Sequence, residues 1–187
     1  QYHISSGNAE HVLDYLDKGL IDFGLLFTKV DPQKYEAIPM PVKDTWGVLM
    51  RKDSPLAKKE SICPEDLWDK PLIISHQKGD DIFLDHWLRR EKSELHIVAT
   101  YNLLFNASLL VDEGLGYALG LDNIINTQSG NLCFRPLSPR LEVNSFIVWK
   151  KYQVFSKAAN LFLRYLQDMI PLIEPLDPNI QGSGSSR

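Results

Sequence analysis

No apolar run in this sequence approaches the roughly 20 residues needed to span a bilayer, so no membrane-spanning helix is expected. No basic stretch followed by an apolar core stands at the start, so no signal peptide is expected in this chain. Cysteine is scarce: Cys63 and Cys133 are the two present, and they form no Cys-x-x-Cys pair. Reduced, half-buried thiols are the reading, with a disulfide left open. Positive charge is in deficit, with 20 Lys and Arg against 24 Asp and Glu and a formal net charge of −4. A surface that grips DNA neutralises phosphates and is usually basic, so this chain by itself is not expected to contact DNA. The five histidines are scattered, and Asp81 and His86 find no partner at ligand spacing on one helix face. No metal site and no cofactor are therefore expected. No serine sits in a nucleophile elbow, and no glycine-rich loop follows a phosphate-binding pattern. Gly114-Leu115-Gly116 lacks a third glycine and reads as a helix C-cap with a tight turn.

What is present is an ordinary globular composition, 44% hydrophobic and 24% charged over 187 residues. That length suits one large domain or two small lobes. Residues 1–5 alternate weakly, as a strand does. Asn8 is a good helix N-cap, Val12, Leu13 and Leu16 recur at helical spacing, and Gly19 sits where a left-handed C-cap residue belongs. Residues 20–27 form a short apolar run that reads as a strand buried on both faces, as in a parallel sheet. The opening pattern of strand, helix and strand indicates α/β architecture.

Strands are then predicted over 35–42 and 45–50, the first edge-like because Pro39 and Pro41 remove ladder donors. A short helix begins at Pro64, and residues 72–75 read as a buried strand. A helix over 82–91 puts Phe83 and Trp87 on one face. A strand over 95–100 leads to a helix capped by Asn102 and ending at Gly114. A strand over 116–121 leads to a short helix capped by Asp122. Strands over 132–137 and 143–150 precede a last helix capped by Ser156, with Ala158, Phe162, Tyr165, Leu166 and Met169 on one face and Pro171 at its end.

The run Ser6-Gly7-Asn8, then Leu16-x-x-Gly19-x-x-Asp22-Phe23-Gly24, then Trp46-Gly47-Val48-Leu49-Met50 with Ser54-Pro55-Leu56-Ala57, resembles the effector-binding domain of LysR-type transcriptional regulators. Glu113-Gly114-Leu115-Gly116-Tyr117-Ala118-Leu119 resembles the corner of that family between a helix and a strand. Phe155-Ser156-Lys157-Ala158-Ala159 and Phe162 resemble its last helix. The likeness covers about residues 1–170. It implies a periplasmic-binding-protein-like fold (type 2), with two α/β lobes joined by two crossing strands and a small effector between them. Lobe I would take residues 1–51 and 141–176, lobe II residues 52–140, and residues 177–187 would be a disordered tail or vector scar. A helix-turn-helix domain outside this chain would contact DNA. The full-length protein would be a cytoplasmic homo-dimer or tetramer without a membrane partner. The family also places a strand and a long helix before the position of Gln1, so another segment or chain, or a rearranged lobe, is expected to satisfy the first sheet.

In open α/β sheets, ligands bind beyond the carboxyl ends of strands, where helix N-termini present free N–H groups. The residues so placed are Phe27 and Thr28, then Ser75, His76 and Gln77, then Tyr101 and Asn102, then Leu121. Ser75, Asn102 and Asp122 read equally as helix caps. Phe27 reads as core if its strand runs one residue longer, and His76 as a solvated loop residue. Val48, Leu49, Arg51, Leu141 and Val143 are the expected hinge positions. Trp87 and Trp149 read as packing residues. The rival readings are an extracytoplasmic solute-binding protein of the same fold, and an enzyme for which His76 with Asp80 is the one faint candidate pair.

Overall fold

The computed structural model describes residues 2–76, 84 and 86–170. Gln77, the predicted helix start at 82, Phe83, Pro171 and the expected tail over 177–187 lie outside the described residues. Its elements are α1 (Ala9–Asp17), β1 (Gly24–Leu26), β2 (Tyr35–Arg51), β3 (Leu72–Ser75), β4 (Ile97–Tyr101), α2 (Leu104–Asp112), β5 (Tyr117–Leu121), β6 (Leu132–Pro136), β7 (Glu142–Lys150) and α3 (Lys157–Met169). Short 3-10 turns occupy Pro55–Lys58, Pro64–Asp66 and Lys92–Glu94.

The chain forms two compact units. Among the described residues, one holds 2–12 with 44–143, and the other holds 13–43 with 144–170. Residues 44–51, expected in lobe I, cluster instead with the residues that follow them. Pairing explains this: β2 runs antiparallel to β5 over Trp46–Leu49 and to β6 over Gly47–Arg51. That end of the strand is therefore held on both edges by the larger unit.

In the larger unit, β3 pairs in parallel with both β4 and β5. The sheet order is β6-β2-β5-β3-β4. One face buries Trp46, Val48, Met50, Leu72, Ile74, Leu84, Trp87, Leu88, Leu119 and Leu121. The other buries Leu49, Ile73, Tyr101 and Ala118 under Leu104, Ala107 and Val111 of α2. β3, predicted as a buried strand, is buried at all of its residues, Ser75 included, because both faces of this sheet are covered.

In the smaller unit, β1 pairs antiparallel with β7, matching Gly24 to Val148 and Leu26 to Phe146. The expected strand over 20–27 is thus shorter, and its partner is antiparallel. Leu20 is taken by the end of α1: its N–H donates to Tyr15 at 2.9 Å while Gly19, at φ +66°, donates to Leu16 at 3.1 Å. This helix-terminating pair of bonds consumes the residue before a strand can start. Leu16, Leu26, Tyr35, Val148 and Ala159 are buried here, and Phe23 stacks on Phe155 at 5.0 Å between ring centres.

Several local expectations change. Residues 2–8 form no strand. The strands expected over 35–42 and 45–50 are one element of 17 residues. Pro39 and Pro41 are two apart, so their missing donors face one edge and the other edge keeps its own. No helix follows Asp122, whose carboxylate accepts from Asn123 N at 2.7 Å, because Asn123 stands at φ +61° and right-handed propagation stops there. In α3, Leu161, Phe162, Tyr165 and Met169 remain about half exposed.

Candidate functional site

β3, β4 and β5 are mutually parallel, so their carboxyl ends, at Ser75, Tyr101 and Leu121, share one edge of the larger unit's sheet. α2 begins just past β4 on that edge. β2 enters the sheet there too, since Trp46 is the register partner of Leu121 and Asp122 N donates to Thr45 O at 2.9 Å.

The structure places Ser75 and Tyr101 as register partners, with Ser75 buried and His76 exposed beyond it. His76 is fastened twice to the carbonyl of Tyr101, by its backbone N–H at 3.0 Å and by ring Nδ1 at 2.8 Å. A carbonyl oxygen only accepts, so Nδ1 carries the proton in the neutral ring and Nε2 is left as an acceptor. The edge therefore offers an acceptor when His76 is neutral and a donor when it is charged. Asn102 does not cap α2 as expected: the N-cap position falls to Leu103 and carries no side-chain cap bond, while Asn102 Oδ1 accepts from Leu103 N at 2.9 Å and from Asn106 Nδ2 at 3.0 Å.

Two of the sequence-selected residues face inward. Tyr101 is buried in the α2-side core, and its hydroxyl donates to Leu119 O at 2.7 Å. Leu121 packs in the opposite core with Trp46 and Ile74. Phe27 and Thr28 belong to the smaller unit, where Phe27 is 38% exposed and the Thr28 hydroxyl makes a long 3.5 Å contact to Lys29 O. Gln77 lies outside the described residues.

The expected hinge residues separate in character. Val48 and Leu49 are buried and paired on both edges of β2. Arg51 clamps Asp53 and donates from Nη1 to Asp112 O at 2.8 Å, closing the carboxyl end of α2. The Arg51 hydrogen bond holds the Asp53 carboxyl below the usual carboxylate range. Leu141 and Val143 pack partly against the core that contains Trp46.

One contact was not legible in the sequence. The Trp87 indole N–H donates to Pro139 O at 2.8 Å. Pro139 is the start of the segment that leads into β7. No spacing rule connects positions so far apart, and the tryptophan itself was the one available signal, since a buried indole N–H needs an acceptor. Both cysteines are free, and burial pushes the Cys133 thiol up. Among the described residues, no three His, Cys, Asp or Glu side chains are grouped to hold a metal, and no helix is long and apolar enough to cross a membrane.

The family described as LysR substrate binding domain matches residues 1–171. A curated relative, the "Uncharacterized HTH-type transcriptional regulator YvbU" of Bacillus subtilis (strain 168), is 25% identical over 169 residues, covering 89% of this chain and 56% of that protein. The chain thus spans about half the length of the curated relative it matches. Among solved structures it is similar to the effector binding domain of QuiR in complex with shikimate, at TM-score 0.75 and 17% identity, covering 90% of this chain and 80% of that one. It is also similar to the Synechocystis PCC6803 CcmR regulatory domain in complex with 2-PG, at TM-score 0.70 and 14% identity, covering 90% and 82%. At such identities the likeness is one of fold, the periplasmic-binding-protein-like fold (type 2) of LysR substrate-binding domains.

Proposed function

Because the chain belongs to the LysR substrate binding domain family, we propose that it is the ligand-sensing domain of a DNA-binding transcriptional regulator. A small-molecule effector binds at the edge where β3, β4 and β5 end. The observation that carries this reading is the convergence there of three parallel strand ends with the exposed His76 ring and the start of α2. Ser75, His76, Gln77 and Asn102 are the proposed polar contacts. Phe27 and Thr28 stay candidates by likeness to the family. Bound effector shifts the population of domain arrangements by its differential affinity for them. The chain passes from one unit to the other at 12–13, within α1, and at 43–44 and 143–144, and the latter two segments are the proposed hinges.

The domain senses and does not catalyse. DNA is read by a helix-turn-helix domain outside this chain, in a cytoplasmic homo-dimer or tetramer. A curated relative named as an HTH-type regulator supports this reading over an extracytoplasmic solute-binding protein.

The experiment uses the full-length protein with DNA from the region upstream of its gene, read by fluorescence anisotropy against a panel of small organic acids that includes shikimate. Specific binding that at least one compound changes, with the change lost in His76→Ala, is the expected result. A full-length protein that binds no DNA with or without any compound sinks the reading.

A further inference from the structure

We propose that α3 is a contact between two copies of this chain, lying antiparallel to its counterpart along the stripe Ala158, Phe162, Tyr165 and Met169. The proposal gives a surface to the homo-oligomer named above and rests on that part of the reading.

The apolar face of α3 is wider than the cover it receives. Ala159 is buried and Leu163 and Leu166 are half-buried, so this flank meets the rest of the smaller unit. Leu161, Phe162, Tyr165 and Met169 keep between 49% and 60% of their surface exposed, although Phe162 meets the Phe23 ring at 5.0 Å. Ala158, Phe162, Tyr165 and Met169 follow one another at intervals of four, three and four. That is the alternation of the a and d positions by which one helix packs along another. At about 200 Å² for each large side chain, the half-exposed four leave roughly 400 Å² per copy to bury, the small end of specific interfaces.

Register and charge both select an antiparallel copy. With the two helices crossing between Leu163 and Arg164, Phe162 lies opposite the partner's Tyr165 and Ala158 opposite the partner's Met169. Ring then meets ring, and the smallest residue meets the most adaptable one. A parallel copy would set Ala158 against itself and leave a gap. Lys157 is the first residue of α3 and Asp168 lies in its last turn. Each stands where the helix dipole opposes its charge. Among the described residues neither makes an ion pair. At about 100° per residue, both fall on the flank of the stripe that carries Leu161, away from Ala159 and Leu163. They are eleven residues apart, and about 16 Å of helix keeps them from meeting within one chain. Antiparallel pairing brings Lys157 beside the partner's Asp168 and the carboxyl end of the partner helix. The two charges that α3 disfavours by itself become favourable in the pair.

The test is sedimentation velocity of the intact protein over a concentration series from about 1 to 500 μM, with a dimer expected to form at about 10–100 μM from so small an interface. Tyr165→Lys is expected to weaken the dimer at least about tenfold. Lys157→Glu and Asp168→Lys should each weaken it about tenfold, because like charges then face each other twice across the symmetric contact. The two together should restore it to within about threefold. Neither single change should lower the Tm of the dilute monomer, since each relieves a charge opposed by the helix dipole. Peroxide oxidation of Met169 should slow as concentration rises through the dimer range. A monomer at every concentration overturns the proposal. So does a dimer indifferent to Tyr165→Lys, which is held by another surface, and so does a charge pair whose combination restores nothing. Met169 already protected at the lowest concentration assigns the stripe to another segment of the same polypeptide and also overturns it. Should Tyr165→Lys fail to fold, the charge pair decides. Neither effector nor DNA enters the measurement, so its failure and a failure of the sensor reading are separate results.

Discussion

Gly47 lies beneath the ring of Phe134, and a Cβ added at Gly47 would collide with that ring and with the carbonyl oxygen of Arg135. The two residues stand on neighbouring strands, with Gly47 paired to Pro136 in the antiparallel ladder between β2 and β6. The ring takes the space that a side chain would occupy, and β2 passes flat under it. Gly47→Ala is expected to cost about 1–3 kcal/mol, the range for overpacking a close-packed site. Adding Phe134→Ala should recover only part, because the Arg135 carbonyl is backbone and cannot swing aside. Urea unfolding of the single and double variants checks this, and full recovery in the double variant would show that the ring alone sets the constraint.

The bond from His76 Nδ1 to Tyr101 O fixes a tautomer that can be observed. In long-range nitrogen–proton correlation spectra of the neutral ring, His76 should carry its proton on Nδ1. A free histidine in water prefers the Nε2-protonated form. Finding that form here would mean that the ring does not hold the Tyr101 carbonyl and that the edge presents a donor in place of an acceptor.

Asp66 closes a small turn: Oδ2 accepts from Cys63 N at 3.1 Å, and Oδ1 pairs with Lys59. Burial alone would raise its carboxyl. The hydrogen bonds from Lys59 and Cys63 outweigh that, and the group sits below its ordinary value of 3.8. A lowered carboxylate contributes stability that is complete above the unfolded value and is lost as pH falls through the folded one. Asp66→Asn should therefore cost about 1 kcal/mol above about pH 5, a figure already discounted for partial solvent contact. The difference in Tm from the original chain should shrink as pH drops below 3.8. A difference independent of pH would assign the turn to packing alone.

Tyr35 is buried, and its hydroxyl is pushed up to about 12, first by loss of solvent and then by its hydrogen bond to Asp17. A raised tyrosine contributes stability that is complete below the unfolded value of 10.0 and lost as pH rises through the folded one. Absorbance titration should show a tyrosine step near pH 12, and Tyr35→Phe should remove that step. Stability should fall between about pH 10 and 12 in the original chain and more shallowly in Tyr35→Phe, which lacks the group and costs about 1 kcal/mol at neutral pH.

Much of the fold was legible because local rules decide it. The caps at Asn8, Gly19 and Ser156 formed where expected, with Asn8 Oδ1 accepting from His11 N at 2.9 Å and Ser156 Oγ from Ala159 N at 3.1 Å. The run 72–75 needed no partner to be recognised, since the apolar triad Leu72-Ile73-Ile74, closed by Ser75 and bounded by Pro71 and His76, suits a strand covered on both faces. The run 20–27 misled because the same apolar signal serves a helix-terminating turn at Leu20 and a strand at Gly24. Composition cannot separate those uses; only the hydrogen bond to Tyr15 does.

The candidate site divides in the same way. That the candidate positions follow parallel strands was readable from strand–helix alternation, and it led to Ser75, which is buried, and to His76 and Asn102. Which of those side chains face outward was not readable, because a one-residue difference in register reverses a strand's faces. Tyr101 and Leu121 went inward for that reason, and their packing partners come from β5, α2 and β2.

The sequence by itself therefore determined the class of the protein: the α/β alternation, the helix caps and the ordered motifs of its family, all written in residues close together along the chain. Tertiary structure decided what is non-local. It assigned residues 44–51 to the larger unit through pairing with β5 and β6, turned Arg51 into a clamp on the end of α2, and set the Trp87 indole against Pro139. Those outcomes depend on which distant strands meet and in what register. That choice is made by burying two faces of one sheet at once, and no single stretch of sequence contains it.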